Sequence, residues 1–181
     1  MSTEGIVVVE ADLECPGHRR AIVDLTAAYA RDVMGNDGPL PDAVLDALIP
    51  GLRAHPTTLV LLASIDADIA GIATCFRGFS TFAARPILNL HDVFVLERHR
   101  GRGIGRALVL AAEAAAARRG CAKVTLEVQE HNRRARRLYE SVGFSQVVYN
   151  PANGGALFYA KAIGPKAIGA PGPDATDGIV E

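Results

Sequence analysis

Arg100-Gly101-Arg102-Gly103-Ile104-Gly105-Arg106 sets three glycines among three arginines in the middle of the chain. Glycine lets backbone N–H groups approach a ligand closely and reach positive φ. A short apolar run ending at Val95 precedes this turn, and a helix-type sequence follows it. A helix that begins here leaves its first N–H groups unpaired. Those donors and the positive end of the helix dipole suit a phosphate or pyrophosphate, and the guanidinium groups add charge. A P-loop needs GxxxxGK[ST], and the chain has no such run. A dinucleotide fingerprint needs GxGxxG or GxGxxA. Counted from Gly101 its third position is Arg106, and from Gly103 it is Leu108, so both readings fail.

The elements that position this turn follow from periodicity. The β-branched run Ile6–Val9 predicts a strand. Residues 16–33 and 41–52 carry helix-type apolar stripes, separated by the breaker cluster 35–39. Residues 57–65 and 69–76 predict a hairpin across Asp66-Ala67-Asp68. Residues 77–85 read as irregular, with Phe79 and Phe82 either wholly or partly buried in the core or lining a substrate pocket. Residues 87–95 predict the central strand, 103–119 a helix with a small-residue stripe, and 123–128 a further strand. Asn132 is a good N-cap for a helix over 133–142 that Gly143 stops. Residues 145–149 and 156–162 predict two last strands. The expected fold is α/β (α+β): a mixed, mostly antiparallel sheet with helices on both faces. Its central strand–helix–strand unit, 87–128, is a parallel crossover. Residues 1–163 form one domain and 164–181 a Gly/Pro-rich surface tail.

Bulk properties narrow the function. The chain has 181 residues and net charge −1, which excludes a nucleic-acid binder working through bulk charge. Local basic clusters at 98–106 and 133–137 suit one small polyanion better. Three separate cysteines make neither a disulfide framework nor a zinc site, and fit a reducing cytoplasm. No leader pattern and no membrane-length apolar run is visible, so neither a membrane nor a metal is expected.

Two motifs together point further. Arg100-x-x-Gly103-x-Gly105 matches the [Arg/Gln]-x-x-Gly-x-[Gly/Ala] signature of the GCN5-related N-acetyltransferases. Downstream, Asn132-x-x-Ala135-x-x-x-Tyr139-x-x-x-Gly143-Phe144 resembles that superfamily's N-x-x-A-x-x-x-Y-x-x-x-G-F helix and turn. The tight resemblance covers residues 86–148. It implies acetyl-coenzyme A as cosubstrate and acetyl transfer to an amine. Backbone groups of Phe94 and Val95 would then hold the pantetheine arm. The N–H groups of Arg100, Gly101, Arg102, Gly103, Ile104, Gly105 and Arg106 would hold the pyrophosphate, with Asn132 near the pantetheine. One or two of the arginines at 133–134 and 136–137 would reach phosphate. Tyr139 takes the place of the general acid that protonates the leaving thiolate, a task a phenol in a dry site can perform. The plainer reading of Tyr139 is a packed helix tyrosine.

The stretch FSTF…LNLHDVFV resembles the diamine acetyltransferase branch, whose local pattern is L-E-D-x-x-V. Here His91 stands where that glutamate would be, and Asp92 is kept. A histidine with an ordinary pKa of about 6.5 does not attract a polycation as a glutamate does, which argues against a polyamine acceptor. His91 is either the base, directly or through water, or a structural histidine; Asp92 is read as a buried structural carboxylate. Simple alternation places Asn89, His91, Val93 and Val95 on one face and Leu88, Leu90, Asp92 and Phe94 on the other. The expected activity is acetyl transfer to a primary amine of a small molecule, by direct attack on the thioester. The acceptor would be shaped by residues 29–40, 76–86 and 149–156. A non-catalytic coenzyme A-binding domain and a protein or peptide N-acetyltransferase are the alternatives. The branch resemblance also implies a homodimer.

Overall fold

The β-branched run near the start forms β1 (Ile6–Glu10), paired antiparallel with β2 (Thr58–Ile65). The computed structural model describes residues 5–35, 38–147 and 152. By internal contacts the chain divides into two compact units, Met1–Phe144 and Ser145–Glu181, and every element below belongs to the first.

Helix α1 (Pro16–Ala30) starts on a proline, where a missing N–H costs nothing. It stops short of the expected residue 33 for a local reason. The Asp32 carboxylate accepts the Met34 N–H at 2.9 Å and the Asp32 carbonyl accepts the Gly35 N–H at 2.8 Å. Such a side-chain turn competes with helix propagation. Helix α2 (Asp42–Ala54) follows, and then β2.

Asp66 and Ala67, at φ 51° and 70°, make the left-handed turn between β2 and β3 (Asp68–Ser80). Strand β3 pairs antiparallel with β4 (Arg85–Val95) as far as Ser80 opposite Arg85. The expected irregular segment 77–85 is therefore hairpin. Its ladder keeps closing backbone hydrogen bonds beyond the reach of any helix, so its side chains face water. Phe79 is 64% exposed and Phe82 fully exposed, and neither plugs the core. Helix α3 (Ile104–Arg118), β5 (Val124–Leu126) and α4 (Arg133–Ser141) complete the set. The strand order is β1-β2-β3-β4-β5, with only β4 and β5 parallel. This is the expected mixed, mostly antiparallel sheet.

One face of the sheet packs Leu61, Ala63, Ala73, Cys75, Leu88 and Leu90 against Ile104, Leu108 and Ala112 of α3 and Tyr139 of α4. The opposite face packs Val60, Leu62, Ile72 and Phe94 against Ile22 and Leu25 of α1 and Ile49 and Leu52 of α2. Gly71 lets α3 settle on the sheet: a Cβ there would meet the Phe94 carbonyl at 2.9 Å and the Ile104 and Leu108 side chains at 3.2 Å.

Strand β4 departs from simple alternation. Thr74 faces Asp92 and Cys75 faces Leu90, so His91 has no partner on β3 and forms a β-bulge. The extra residue reverses the faces. Leu88 and Leu90 before it and Val93 and Val95 after it all pack on the α3 side, while Phe94 packs on the α1 side. The His91 ring lies 5.3 Å from that of Phe76, which packs with the α1-side cluster. Asp92, opposite Thr74 and between the registers of Ile72 and Phe76, shares that side. His91 and Asp92 thus lie together, not on opposite faces.

Pairing of β4 with β5 ends one residue before the bulge, at Leu90 opposite Leu126, which is why β5 is shorter than the expected 123–128. Ser145–Val147 pair with no strand among the described residues; the rest of the two last expected strands and the tail lie, apart from Ala152, outside the described residues. No helix among the described residues is long and apolar enough to cross a membrane.

Candidate active site

Beyond Leu90 and Leu126 the two parallel strands part, and a cleft of about 830 Å³ lies there. It runs from the glycine–arginine turn to the Tyr29–Met34 segment after α1. Backbone alternation sets what β4 offers it. The Leu96 N–H donates to the Ala70 carbonyl at 2.9 Å, so Leu96 and Phe94 turn their peptide groups towards β3. Val93 and Val95 turn theirs towards the cleft. Phe94 and Val95 were the expected backbone pair; the cleft-facing pair is Val93 and Val95, and Phe94 contributes its ring. The Val95 carbonyl already accepts Arg100 Nε at 2.9 Å.

The turn is built as an anion cradle. Gly101 and Gly103 sit at φ 78° and 91°, in the left-handed region that costs other L-residues about 1–2 kcal/mol. Gly103 is the N-cap of α3, and the first bond beyond it is Ala107 N–H to the Gly103 carbonyl at 3.0 Å. The six N–H groups of Gly101, Arg102, Gly103, Ile104, Gly105 and Arg106 make no hydrogen bond among the described residues. The Arg100 N–H, in contrast, is bonded to the Glu97 carbonyl at 3.1 Å.

The arginine side chains of the turn behave otherwise. Arg100 is paired with Asp32, Arg102 bonds Asp66 at 3.1 Å, and Arg106 bonds the Ser141 hydroxyl at 3.2 Å. Each guanidinium therefore has a protein partner. Arg133 and Arg134 of α4 line the cleft, whereas Arg136 bonds the Glu130 carbonyl at 3.2 Å and neither it nor Arg137 lines it. Asn132 caps α4 by accepting the Ala135 N–H at 3.1 Å, and also lines the cleft.

Tyr139 is 9% exposed, with its ring 5.9 Å from that of Phe144. Its hydroxyl makes no hydrogen bond among the described residues, and the residue lines the cleft. Burial first, then the nearby Tyr29, pushes its pKa up to about 12. The phenol is a protonated donor throughout the neutral range.

The opposite end carries the proton acceptors. His91 is exposed at the bulge and lines the cleft. Asp92 beside it is half-buried and makes no hydrogen bond among the described residues; burial raises its pKa and His91 pulls it partly back. Tyr29 stacks on Phe94 at 5.4 Å, and burial, Asp92 and Asp32 in that order raise its pKa. Glu127 accepts Asn89 Nδ2 at 3.4 Å, and the same amide reaches Thr125 Oγ1 at 3.3 Å. The cleft thus joins a cationic, amide-lined end to an end with the Glu127 carboxylate and the His91 imidazole, and Asp92 lies beside His91 without lining it.

Of the segments expected to shape an acceptor, 29–40 supplies Tyr29, Asp32, Val33 and Met34. Residues 76–86 line no part of the cleft, and 149–156 lies, apart from Ala152, outside the described residues. Tyr29 and Asp32 fall within the expected acceptor segment 29–40 without being singled out there, and Glu127 lies outside every expected site segment.

Residues 22–144 match the Acetyltransferase (GNAT) family. An uncharacterized N-acetyltransferase of Bacillus subtilis (strain 168), YhfO, is 33% identical over 101 residues, 56% of this chain and 68% of that protein. Two further curated relatives are matched over 64% and 26% of their own length. A solved structure described as a probable acetyltransferase superposes with a TM-score of 0.72 at 21% identity, over 88% of this chain and 99% of the other. The structure of AAC(6')-Iy in complex with the bisubstrate analog CoA-S-monomethyl-acetylneamine superposes at 0.67 with 17% identity, over 87% and 99%. The family match runs from within α1 through the bulged strand, the amide cradle and Tyr139, and the chain belongs to the acetyltransferase (GNAT) family of acetyl-CoA-dependent N-acyltransferases.

Proposed function

We propose that this protein transfers the acetyl group of acetyl-CoA to a primary amine of a small molecule, by direct attack of the amine on the thioester. One observation carries the reading: five N–H groups of the turn, on Gly101, Gly103, Ile104, Gly105 and Arg106, and the Tyr139 phenol border the same cleft, all without a hydrogen-bond partner among the described residues. The residues present fit the cosubstrate. An amide cradle at a helix N-terminus suits a pyrophosphate, and a strand edge that no described strand pairs beyond Leu90 suits an amide-bearing arm. Bound there, acetyl-CoA supplies an activated carbonyl and a thiolate leaving group.

The N–H groups of residues 101–106 hold the pyrophosphate, with Arg133 and Arg134 adding charge. Val93 and Val95 hold the arm through their backbone, and Asn132 lies beside it. Glu127 favours an ammonium at the acceptor end. His91 takes the proton that the amine must lose, directly or through a water. Tyr139 gives its proton to sulfur as the N–C bond forms and the C–S bond breaks. One proton is taken up and one is released, and both groups are restored from solvent. Direct attack is supported by the absence of any cysteine among the described residues that line the cleft; Cys75, the buried thiol on β3, packs in the core instead.

Calorimetry with acetyl-CoA tests the first half: micromolar binding is expected, and its absence would overturn the assignment. Thiol release across a panel of small amines, amino acids and polyamines tests the second. Binding without turnover on any acceptor would make this a coenzyme A-binding domain instead.

A further inference from the structure

We propose that Asp32 is a positioning residue that ties the acceptor-side segment 29–35 to the pyrophosphate turn through Arg100, so that filling the turn stiffens the acceptor wall. The inference rests on acetyl-CoA being the ligand of that turn.

Arg100 opens the turn, yet its side chain points away from any phosphate role. Its Nε donates to the Val95 carbonyl at 2.9 Å, its guanidinium lies 5.6 Å over the Phe94 ring, and its Nη2 pairs with the Asp32 carboxylate. The two side chains are only 24% and 17% exposed, so solvent screens the pair far less than a surface ion pair. Burial would raise the Asp32 carboxyl, but Arg100, the Met34 N–H and the charge of Arg134 outweigh it and hold it below the usual carboxylate range. The pair is charged at neutral pH.

Asp32 acts on its own segment with its other oxygen, which accepts the Met34 N–H at 2.9 Å. Tyr29 stacks on the same Phe94 ring that Arg100 covers, at 5.4 Å. The segment has little slack: a Cβ on Gly35 would come within 2.0 Å of the Tyr29 carbonyl. One carboxylate therefore fixes the fold of the acceptor wall and, through one guanidinium, the first residue of the cradle and the end of β4. Only a planar fork can serve the Val95 carbonyl and Asp32 together.

Hydrogen exchange read by mass spectrometry, with acetyl-CoA as the only added ligand, tests this without knowledge of the acceptor. In the wild type, acetyl-CoA is expected to slow exchange in residues 100–106 and also in 29–35, each on the order of fivefold or more. In Asp32→Asn, the turn should still be protected while 29–35 loses the effect, and calorimetric affinity for acetyl-CoA should change by less than about fivefold. Asp32→Glu should restore part of the transmitted protection. Should Asp32→Asn misfold by circular dichroism, Arg100→Lys keeps the charge without the fork and should uncouple in the same way. Protection of 100–106 with none at 29–35 in the wild type overturns the coupling alone, as does full transmission in Asp32→Asn and Arg100→Lys. Protection at neither segment removes the cofactor assignment itself.

Discussion

Replacing Tyr139 by phenylalanine separates its two roles, because the structure gives them opposite signatures. The ring is 9% exposed and packs near Phe144, and phenylalanine keeps that packing. The hydroxyl has no hydrogen-bond partner among the described residues, so removing it deletes no bond. The hydroxyl opens on the cleft and is not sealed in the core, so the variant should keep the wild-type stability within about 0.5 kcal/mol. Catalysis should respond differently. With a pKa of about 12 the phenol is protonated at pH 7 in all but about one molecule in 10⁵. A free alkyl thiolate, with a pKa of about 8.5, is a weaker base than that phenolate, so the phenol acts by donating to the charge that develops on sulfur as the C–S bond breaks. A general acid of this kind contributes roughly 10²–10⁴ in rate, or about 3–5 kcal/mol. Steady-state thiol release at pH 7, with an amine found active in the panel, should show a fall in kcat of that size. The calorimetric Kd for acetyl-CoA should change by no more than about twofold, and the melting temperature should not fall. A kcat within about threefold of wild type, with a lowered melting temperature, would make Tyr139 a packing residue and refute the reasoning.

Three further outcomes follow from particular backbone and burial features. Gly103→Ala places a Cβ at φ 91° and should cost about 1–2 kcal/mol in urea unfolding and weaken acetyl-CoA in calorimetry; no change in either would remove the cradle. The Asp92 carboxyl is raised by burial, so its protonated form is the one the fold prefers. Such a group adds stability only below its unfolded value of about 3.9 and loses it as pH rises through the folded value. Asp92→Asn should therefore be more stable than wild type at pH 7, with the gain gone at pH 3, as urea midpoints at the two pH values will show. Phe82→Ala, at the exposed hairpin tip, should shift stability by no more than about 0.5 kcal/mol; a core-sized loss would restore the buried reading of that segment.

What the sequence made legible was local. The glycine turn at positive φ and the Asn132 cap depend on neighbours within a turn or two, and each is found where the residues implied it. The parallel unit β4–α3–β5 followed from the length of the helix between two strands. The contacts that escaped are long-range. Asp32 meets Arg100 across 68 positions, and Asn89 meets Glu127 across 38. No period in the chain announces such pairs. The hairpin tip escaped for a different reason: aromatic residues were read as core, but a backbone ladder can extend a hairpin past its helices and leave them in water.

The bulge at His91 is where local reading and site formation part most sharply, and it decides the architecture of the cleft. Period-two alternation is a statement about an unbroken ladder, and one unpaired residue inverts it. Here that residue has three consequences at once. It sets His91 and Asp92 on the same side of the sheet, giving the cleft its imidazole with a half-buried carboxyl beside it. It returns Val93 and Val95 to the α3 side, beside the helix that carries the cradle. It also lies where β5 stops pairing, so that the cleft-facing backbone of β4 stays open. An unbroken strand would keep His91 and Val93 on one face and separate His91 from Asp92. The irregularity that defeats the alternation is therefore what brings the proton acceptor, the strand edge and the anion cradle to one cleft.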